Sequence, residues 1–411
     1  MKEAWPDPKN WLGHPAMQEA LPLIVALELL GEQARFVGGC VRDAILGRPI
    51  RDVDLATTAQ PAWVMNVLKE RGYRVVPTGL QHGTVSVVLS GGTVEITTLR
   101  HDVETDGRHA KVAFTTDWEA DAARRDLTIN SMSLDRDGRL HDPFCGLQDL
   151  HDGKVCFVGD PRGRITEDVL RILRFFRFHA WYGKGDADAE SVLACAELAH
   201  LIPRLSAERI TKEWLTLLAA PDPLPCCRLM HERGVLAHFL PEIVSCDRLA
   251  ALIQVSRGYD IQCLSLLRMA ALVPPACDVR VLALRMKFSG AQTRYLVSVC
   301  QDTAPAHADM SWPDLHRCID RQGRAATQGQ MLLAAADGKG REKLSAAMDE
   351  VAVWETPPRP YDGLDAQRLG LTQGQELGKV IQEMDVWWQG QDFQPDRAAC
   401  LEHMEQIIKA R

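Results

Sequence analysis

The sequence predicts an α+β chain in which a small sheet-bearing domain is followed by an all-α remainder. Two observations carry this. Short, alternating, β-branched runs bounded by Gly or Asp are confined to the first 155 residues or so. From about residue 165 the pattern turns to helical periodicity and strand signals nearly vanish. Length agrees, since 411 residues exceed one ordinary core and imply two to four domains or sub-domains.

In order along the chain, Ala16–Leu30 has helical spacing and Ala34–Val37 is a short apolar strand. Arg42–Leu46 continues as a helix, Asp52–Ala56 as a strand and Pro61–Arg71 as a helix opened by its proline. Thr84–Leu89, Val94–Thr98, Ser131–Leu134 and Val155–Val158 complete the candidate strands, which suit one small sheet. Thr166–Trp181, Asp188–Leu198, Ser206–Leu218 and Pro225–His238 read as helices. Pro/Gly breaks fall near 221–225, 273–276 and 356–363, and Glu355–Tyr361, with three prolines, reads as an extended connection.

Composition excludes more than it names. With 46% hydrophobic and 25% charged residues the chain is an ordinary globular one. Its net charge of -8 announces no nucleic-acid partner, so any such partner must be held by local basic patches. No apolar run approaches the ~20 residues that span a bilayer, so no membrane is expected. Met1–Trp11 is polar and Pro-rich, without the pattern of a targeting peptide. The 12 cysteines include no C-x-x-C pair and read as reduced thiols in a cytoplasm rather than a zinc site. Nothing in the pattern sets an oligomeric state.

Chemistry begins at Gly38-Gly39-Cys40-Val41-Arg42-Asp43, followed by Asp52-Val53-Asp54. On a strand, residues i and i+2 share a face, so Asp52 and Asp54 would present two carboxylates side by side. Two such groups repel, and a hard divalent ion such as Mg²⁺ relieves the repulsion. Gly38 and Gly39 let backbone N–H groups approach phosphate oxygens, and Arg42 would start a helix whose N-terminal end favours anions. D-x-D alone also occurs in ordinary surface loops; the preceding Gly-Gly and Arg sharpen it. Glu95 is a third candidate carboxylate, or a plain polar-face residue. Two metals about 3.5–4 Å apart would serve phosphoryl transfer, with positioning and charge neutralisation supplying most of the catalysis.

A second block, Asp121-Ala122-Ala123-Arg124-Arg125-Asp126-Leu127-Thr128-Ile129-Asn130, and a third, Glu167-Asp168-Val169-Leu170-Arg171, add basic residues. Asp168, Arg171, Arg174 and Arg177 recur every three residues and would form one ridge on a helix, opposite a stripe of Val169, Ile172, Leu173, Phe176 and Ala180. That ridge is either a solvated basic face or a set of guanidiniums in need of anions or base edges.

In these blocks, and in Ser206-Ala207-Glu208-Arg209-Ile210, the chain resembles the class II tRNA nucleotidyltransferases (CCA-adding enzymes) and the bacterial poly(A) polymerases, over roughly residues 33 to 245. The resemblance implies a polymerase-beta-like nucleotidyltransferase head at 1–155, a helical neck that selects the nucleotide at 156–250, a helical body at 251–355 and a tRNA-binding tail at 356–411. It implies that Asp52 and Asp54 are catalytic and hold Mg²⁺. Gly38, Gly39 and Arg42 would meet the triphosphate and Arg125 would help bind the nucleotide. Asp168 and Arg171 would template the incoming base, and Arg174 and Arg177 would support phosphates or the template. Glu208 and Arg209 would brace the neck helices. The template is chemically sensible. A carboxylate accepts from the exocyclic amine of C or A, a guanidinium donates beside it, and U and G present the opposite pattern.

Implied substrates are CTP, ATP and tRNA, gripped at its 3' end and elbow. The polar stretch Arg100–Lys111 matches a flexible loop tied to the switch from C to A addition, or is an ordinary hairpin loop. Its presence argues for CCA or A addition over addition of C alone. Pro77–Thr84 looks more like the tRNA enzymes than the poly(A) polymerases, which remain the near rival. From other classes, an HD-type phosphohydrolase is suggested by His101-Asp102, His141-Asp142 and His151-Asp152, all in the N-terminal half. A non-catalytic RNA-binding module would have no use for the Asp52/Asp54 pair. In the tail, Trp387 and Trp388 read as core residues before base-stacking ones.

Overall fold

In the computed structural model, residues 8–105 and 110–410 are described. They divide into two compact units, Met1–Pro241 and Glu242–Arg411.

The first unit opens with α1 (Pro15–Glu28), β1 (Ala34–Val37), α2 (Gly39–Ile45), β2 (Val53–Thr57), α3 (Pro61–Glu70), β3 (Arg74–Gly79), β4 (Thr84–Leu89) and β5 (Gly92–Thr98). β6 (Arg100–Thr105) and β7 (Ala110–Phe114) form a separate two-stranded ribbon. Next come α4 (Trp118–Ala123), β8 (Ser133–Leu134), β9 (Leu140–His141) and α5 (Gly146–Asp152). The main sheet has seven strands in the order β3-β4-β5-β2-β1-β8-β9. Only β2 and β5 pair in parallel, placing Asp54 opposite Glu95 in register. Along β2 the burial alternates at its start, with Val53 and Leu55 in the core and Asp54 half-buried between them.

Several local expectations are corrected. β2 begins at Val53, so Asp52 stands just ahead of the strand. α2 begins at Gly39, so Arg42 lies in its last turn instead of starting it. β3 was not foreseen, because Pro77 argues against a strand; at a sheet edge a missing N–H is tolerated. Val155–Val158 is no strand: it makes one isolated bridge, Leu127 to Phe157, although its apolar residues are buried. Part of the Arg100–Lys111 stretch is ribbon strand, and residues 106–109 lie outside the described residues.

The helices that complete this unit are α6 (Pro161–Glu167), α7 (Leu170–Tyr182), α8 (Ala189–Leu198), α9 (Ala207–Leu218) and α10 (Leu224–Glu232). The single helix expected over Thr166–Trp181 is broken at Asp168, which is extended at φ -147°, ψ 106°. Its Oδ1 accepts from the Leu170 N–H at 3.1 Å, the short-range bond by which Asp competes with helical backbone. Asp168 therefore stands in a turn ahead of α7 and not on the arginine ridge. α7 buries Ile172, Leu173, Phe175, Phe176, Phe178 and His179, packing on α9.

The second unit is helical among the described residues: α11 (Asp247–Val255), α12 (Leu264–Leu272), α13 (Val279–Arg285), α14 (Gly290–Gln301), α15 (Trp312–Gln322), α16 (Arg324–Ala336), α17 (Leu344–Val353), α18 (Gly363–Arg368), α19 (Gln375–Gly390) and α20 (Arg397–Lys409). No helix is long and apolar enough to cross a membrane among the described residues. Residues 354–362 connect α17 to α18 without regular structure. The last three helices close on Tyr361, Val380, Met384, Trp388, Phe393, Cys400 and Met404. Trp388 is core, and Trp387 stacks on His403 at 4.1 Å.

Candidate active site

β1 ends at a turn that only glycine makes easily. Gly38 has φ 71° and ψ -126°, and a Cβ placed there would lie 3.0 Å from Nη1 of Arg125. Residues 87 positions apart in sequence thus meet: the glycine turn lies under the Arg125 guanidinium. Arg125 is lightly used, with contacts of 3.4 Å to the Asn130 carbonyl and 3.5 Å to Asp121. It also acts on Asp54, together with Glu95 and Asp52.

Asp54 reports on that neighbourhood. Burial first, then the like charges of Glu95 and Asp52, push its carboxyl up to about 6, while Arg125 pulls it down. Three acids with one nearby guanidinium is a site short of positive charge, which fits a divalent cation. Among the described residues no three His, Cys, Asp or Glu converge into a complete metal cage. Mg²⁺ takes one or two carboxylates and completes its shell with water and substrate phosphates. Cys40 lies beneath the strand with its thiol on the Val37 carbonyl at 3.3 Å, and burial pushes it up to about 11, so it is no nucleophile.

Arg42 is nearly buried, at 6% exposure. Its Nε and Nη2 donate to Asp43 at 3.0 and 2.9 Å, and its Nη1 donates to Asn130 Oδ1 at 2.6 Å. The guanidinium also lies over the rings of Tyr182 at 4.2 Å and Phe178 at 5.1 Å. It backs the glycine turn from inside, with only its remaining N–H groups free for a ligand.

The other half of the site is the turn before α7. Asp168 does not pair with Arg171. Its two carboxylate oxygens take Nη2 of Arg209, from α9, at 3.1 and 2.8 Å. Arg171 donates to Glu167 at 2.6 Å and to the carbonyls of Arg164 and Arg124 at 3.0 and 2.9 Å. Arg174 and Arg177 find protein anions: Arg174 binds Asp126 at 2.7 Å, and Arg177 binds Glu213. Arg174 holds the Asp126 carboxyl down at about 2 against the effect of burial. Sequence reading missed Glu213 and gave Asn130 no role. Glu213 is an acid buried on a helix, visible only once its cationic partners are placed. Two of the His-Asp dipeptides are engaged locally: His141 bonds Asp135, Asp142 caps α5, and His151 bonds its neighbour Asp152. The Asp102 side chain lies outside the described residues.

This arrangement of a carboxylate-bearing pair of central strands, a glycine turn and an arginine above it is a nucleotidyltransferase head. Residues 34–156 match the family model described as the poly A polymerase head domain, and 187–246 match that of a probable RNA and SrmB-binding site of polymerase A. The mitochondrial CCA tRNA nucleotidyltransferase 1 of Mus musculus is 35% identical, covering 91% of this chain and 86% of the relative. The CCA-adding enzyme of Lacticaseibacillus paracasei is 32% identical over 91% and 92%. The crystal structure of the Bacillus stearothermophilus CCA-adding enzyme with CTP superposes at a TM-score of 0.74, with 25% identity over 97% and 98% of the chains. The chain belongs to the CCA-adding tRNA nucleotidyltransferase family.

Proposed function

We propose that this protein adds C, C and A from CTP and ATP to the 3' end of tRNA, releasing pyrophosphate. One observation carries the reading: the segment 124–130 joins both halves of the site. Its Arg125 covers the Gly38 turn beside Asp52 and Asp54, while its Arg124 carbonyl and Asp126 carboxylate hold Arg171 and Arg174 of α7.

Asp52 and Asp54 would hold Mg²⁺, with Glu95 alongside. When bound, the ion supplies acidification of the attacking 3'-hydroxyl and charge neutralisation on the triphosphate. Gly39 offers its backbone N–H to phosphate oxygens, and Gly38, whose own N–H donates to the Met132 carbonyl at 3.3 Å, shapes the turn at the nucleotide. Arg125 offers its free guanidinium edge, and Arg42 supports the turn from within. Asp168, oriented by Arg209, accepts from the amine of C or A, and Arg171 donates beside it. Arg174 and Arg177 support this template through Asp126 and Glu213 and do not themselves reach for phosphate. We assign 1–155 as head, 156–250 as neck, 251–355 as body and 356–411 as the tRNA-gripping tail; the separate apolar core of the last three helices supports the last of these. We place the activity in the cytoplasm, which the twelve free cysteines support, although the mouse relative is mitochondrial by name.

The test is incorporation of CTP and ATP with Mg²⁺ into tRNA ending before CCA, after C and after CC. Ordered growth to CCA from all three is expected. Long A tails would make it a poly(A) polymerase, growth from the CC end alone an A-adding enzyme, and no incorporation would end the reading.

A further inference from the structure

The proposed site has two halves that must stay in register: the Arg42/Gly38 turn for the triphosphate and the Asp168/Arg171 turn for the base. The far end of α7 is tied to α2 by Tyr182 on Asp43 at 3.1 Å and by the Arg42 guanidinium over the Phe178 and Tyr182 rings. Nearer the template turn, one neutral side chain bridges Arg42 and Asp126. Asn130 is 6% exposed. Its Oδ1 accepts from Arg42 Nη1 at 2.6 Å and its Nδ2 donates to Asp126 Oδ1 at 3.2 Å. The other oxygen of Asp126 takes Arg174 of α7 at 2.7 Å. The chain Asp43–Arg42–Asn130–Asp126–Arg174 thus runs unbroken from α2 to the helix that opens with the template turn.

We propose that Asn130 is a positioning residue for base selection, fixing the template helix relative to the triphosphate turn; this rests on the function proposed above. The amide has one orientation available. A guanidinium only donates and a carboxylate only accepts, so oxygen must face Arg42 and nitrogen must face Asp126. No other short side chain satisfies both. Aspartate would set a second carboxylate against Asp126, and leucine would leave a buried guanidinium and a buried carboxylate each one partner short. Arg42 cannot turn elsewhere, because Asp43 takes its other edge and the Tyr182 and Phe178 rings cover its face. Tyr182 and Trp181 hold the far end of α7 to Asp43 and Arg48. Loosening Asn130 therefore releases the N-terminal end, where Arg174 sits, and the template turn shifts with it. The result is poorer choice between bases as well as slower addition.

The experiment compares kcat/KM for CTP with that for UTP, in single additions to tRNA ending before CCA, using the full-length protein. Unfolded molecules add neither nucleotide, so the ratio is independent of how much of a variant folds. Asn130→Leu, and the milder Asn130→Ser, are expected to lower the CTP/UTP ratio at least about tenfold, the scale of losing a hydrogen bond to a charged group. Asn130→Asp is expected to do the same. The exchange Asn130→Asp with Asp126→Asn restores one acid and one amide between the two arginines and should recover most of the ratio. If Asn130→Ser and Asn130→Leu lose rate yet keep the wild-type ratio, Asn130 is only structural and the proposal is overturned. Failure of the exchange to improve on Asn130→Asp would count against it equally. A wild-type protein that adds no C would fail the proposed function, a result separate from either.

Discussion

Replacing Arg174 with methionine removes the cation from the Asp126 carboxylate while keeping most of the side chain's apolar bulk. The carboxyl lies at about 2 in the folded protein, against 3.8 ordinarily, and its side chain is 10% exposed. At 1.36 kcal/mol per unit that depression is worth about 2 kcal/mol of stability. A lowered carboxylate contributes fully above its ordinary value, and its contribution is lost as pH falls from there through about 2. Without Arg174 the carboxylate keeps only Asn130 Nδ2 and the Leu127 N–H, and burial then pushes it upward. Breaking a buried pair in this way costs about 3–5 kcal/mol. The variant should be less stable by that amount at pH 7. The gap should narrow toward pH 4, because its stranded Asp126 can take up a proton. Hydrogen exchange of the α7 amides measures this locally, which matters in a chain of two units where one global unfolding energy is ill defined. A deficit below about 1 kcal/mol at pH 7, or a gap unchanged between pH 7 and pH 4, would refute the reasoning.

Four further outcomes are expected. Asp52→Ala should abolish nucleotide addition while tRNA affinity in a filter-binding assay stays nearly intact; full activity would remove Asp52 from the metal site. Gly38→Ala puts a side chain in a backbone conformation costing about 1–3 kcal/mol and against Arg125, so activity should fall at least about tenfold. Arg209→Met removes the two contacts that orient Asp168, each side about one-third exposed, and should raise KM for CTP more than it lowers kcat; an unchanged KM would contradict the assigned contact. Asp54 is raised to about 6 without metal and must be ionised to hold a cation. Apparent Mg²⁺ affinity should therefore fall about tenfold per pH unit below that value and level off above pH 7. An affinity flat down to pH 5 would exclude Asp54 as a ligand.

How far pattern alone reaches can be judged element by element. β1 and β4 coincide with their short apolar and β-branched runs, which stop at Gly38 and at Ser90-Gly91, because local chemistry sets those stops. β3 escaped because Pro77 is harmless only at an edge, and edge position is a property of the assembled sheet. The break at Asp168 was written in the residue type, since Asp prefers caps, but the surrounding helical periodicity masked it. The arginine ridge of α7 was legible as three cations on one face. What they face was not.

The sequence by itself determined the carboxylate pair, the glycine turn before it, the division into a sheet-bearing head and a helical remainder, and the family motifs. Each depends on residues within a few positions of one another, where backbone geometry and side-chain spacing suffice. Only the tertiary structure decided that Arg174 and Arg177 bind Asp126 and Glu213, that Asp168 rests on Arg209 instead of Arg171, and that Asn130 links Arg42 to the template helix. Those pairs are 36 to 88 residues apart. A buried charge must be matched by whichever partner the packing brings near, and no local pattern records that choice.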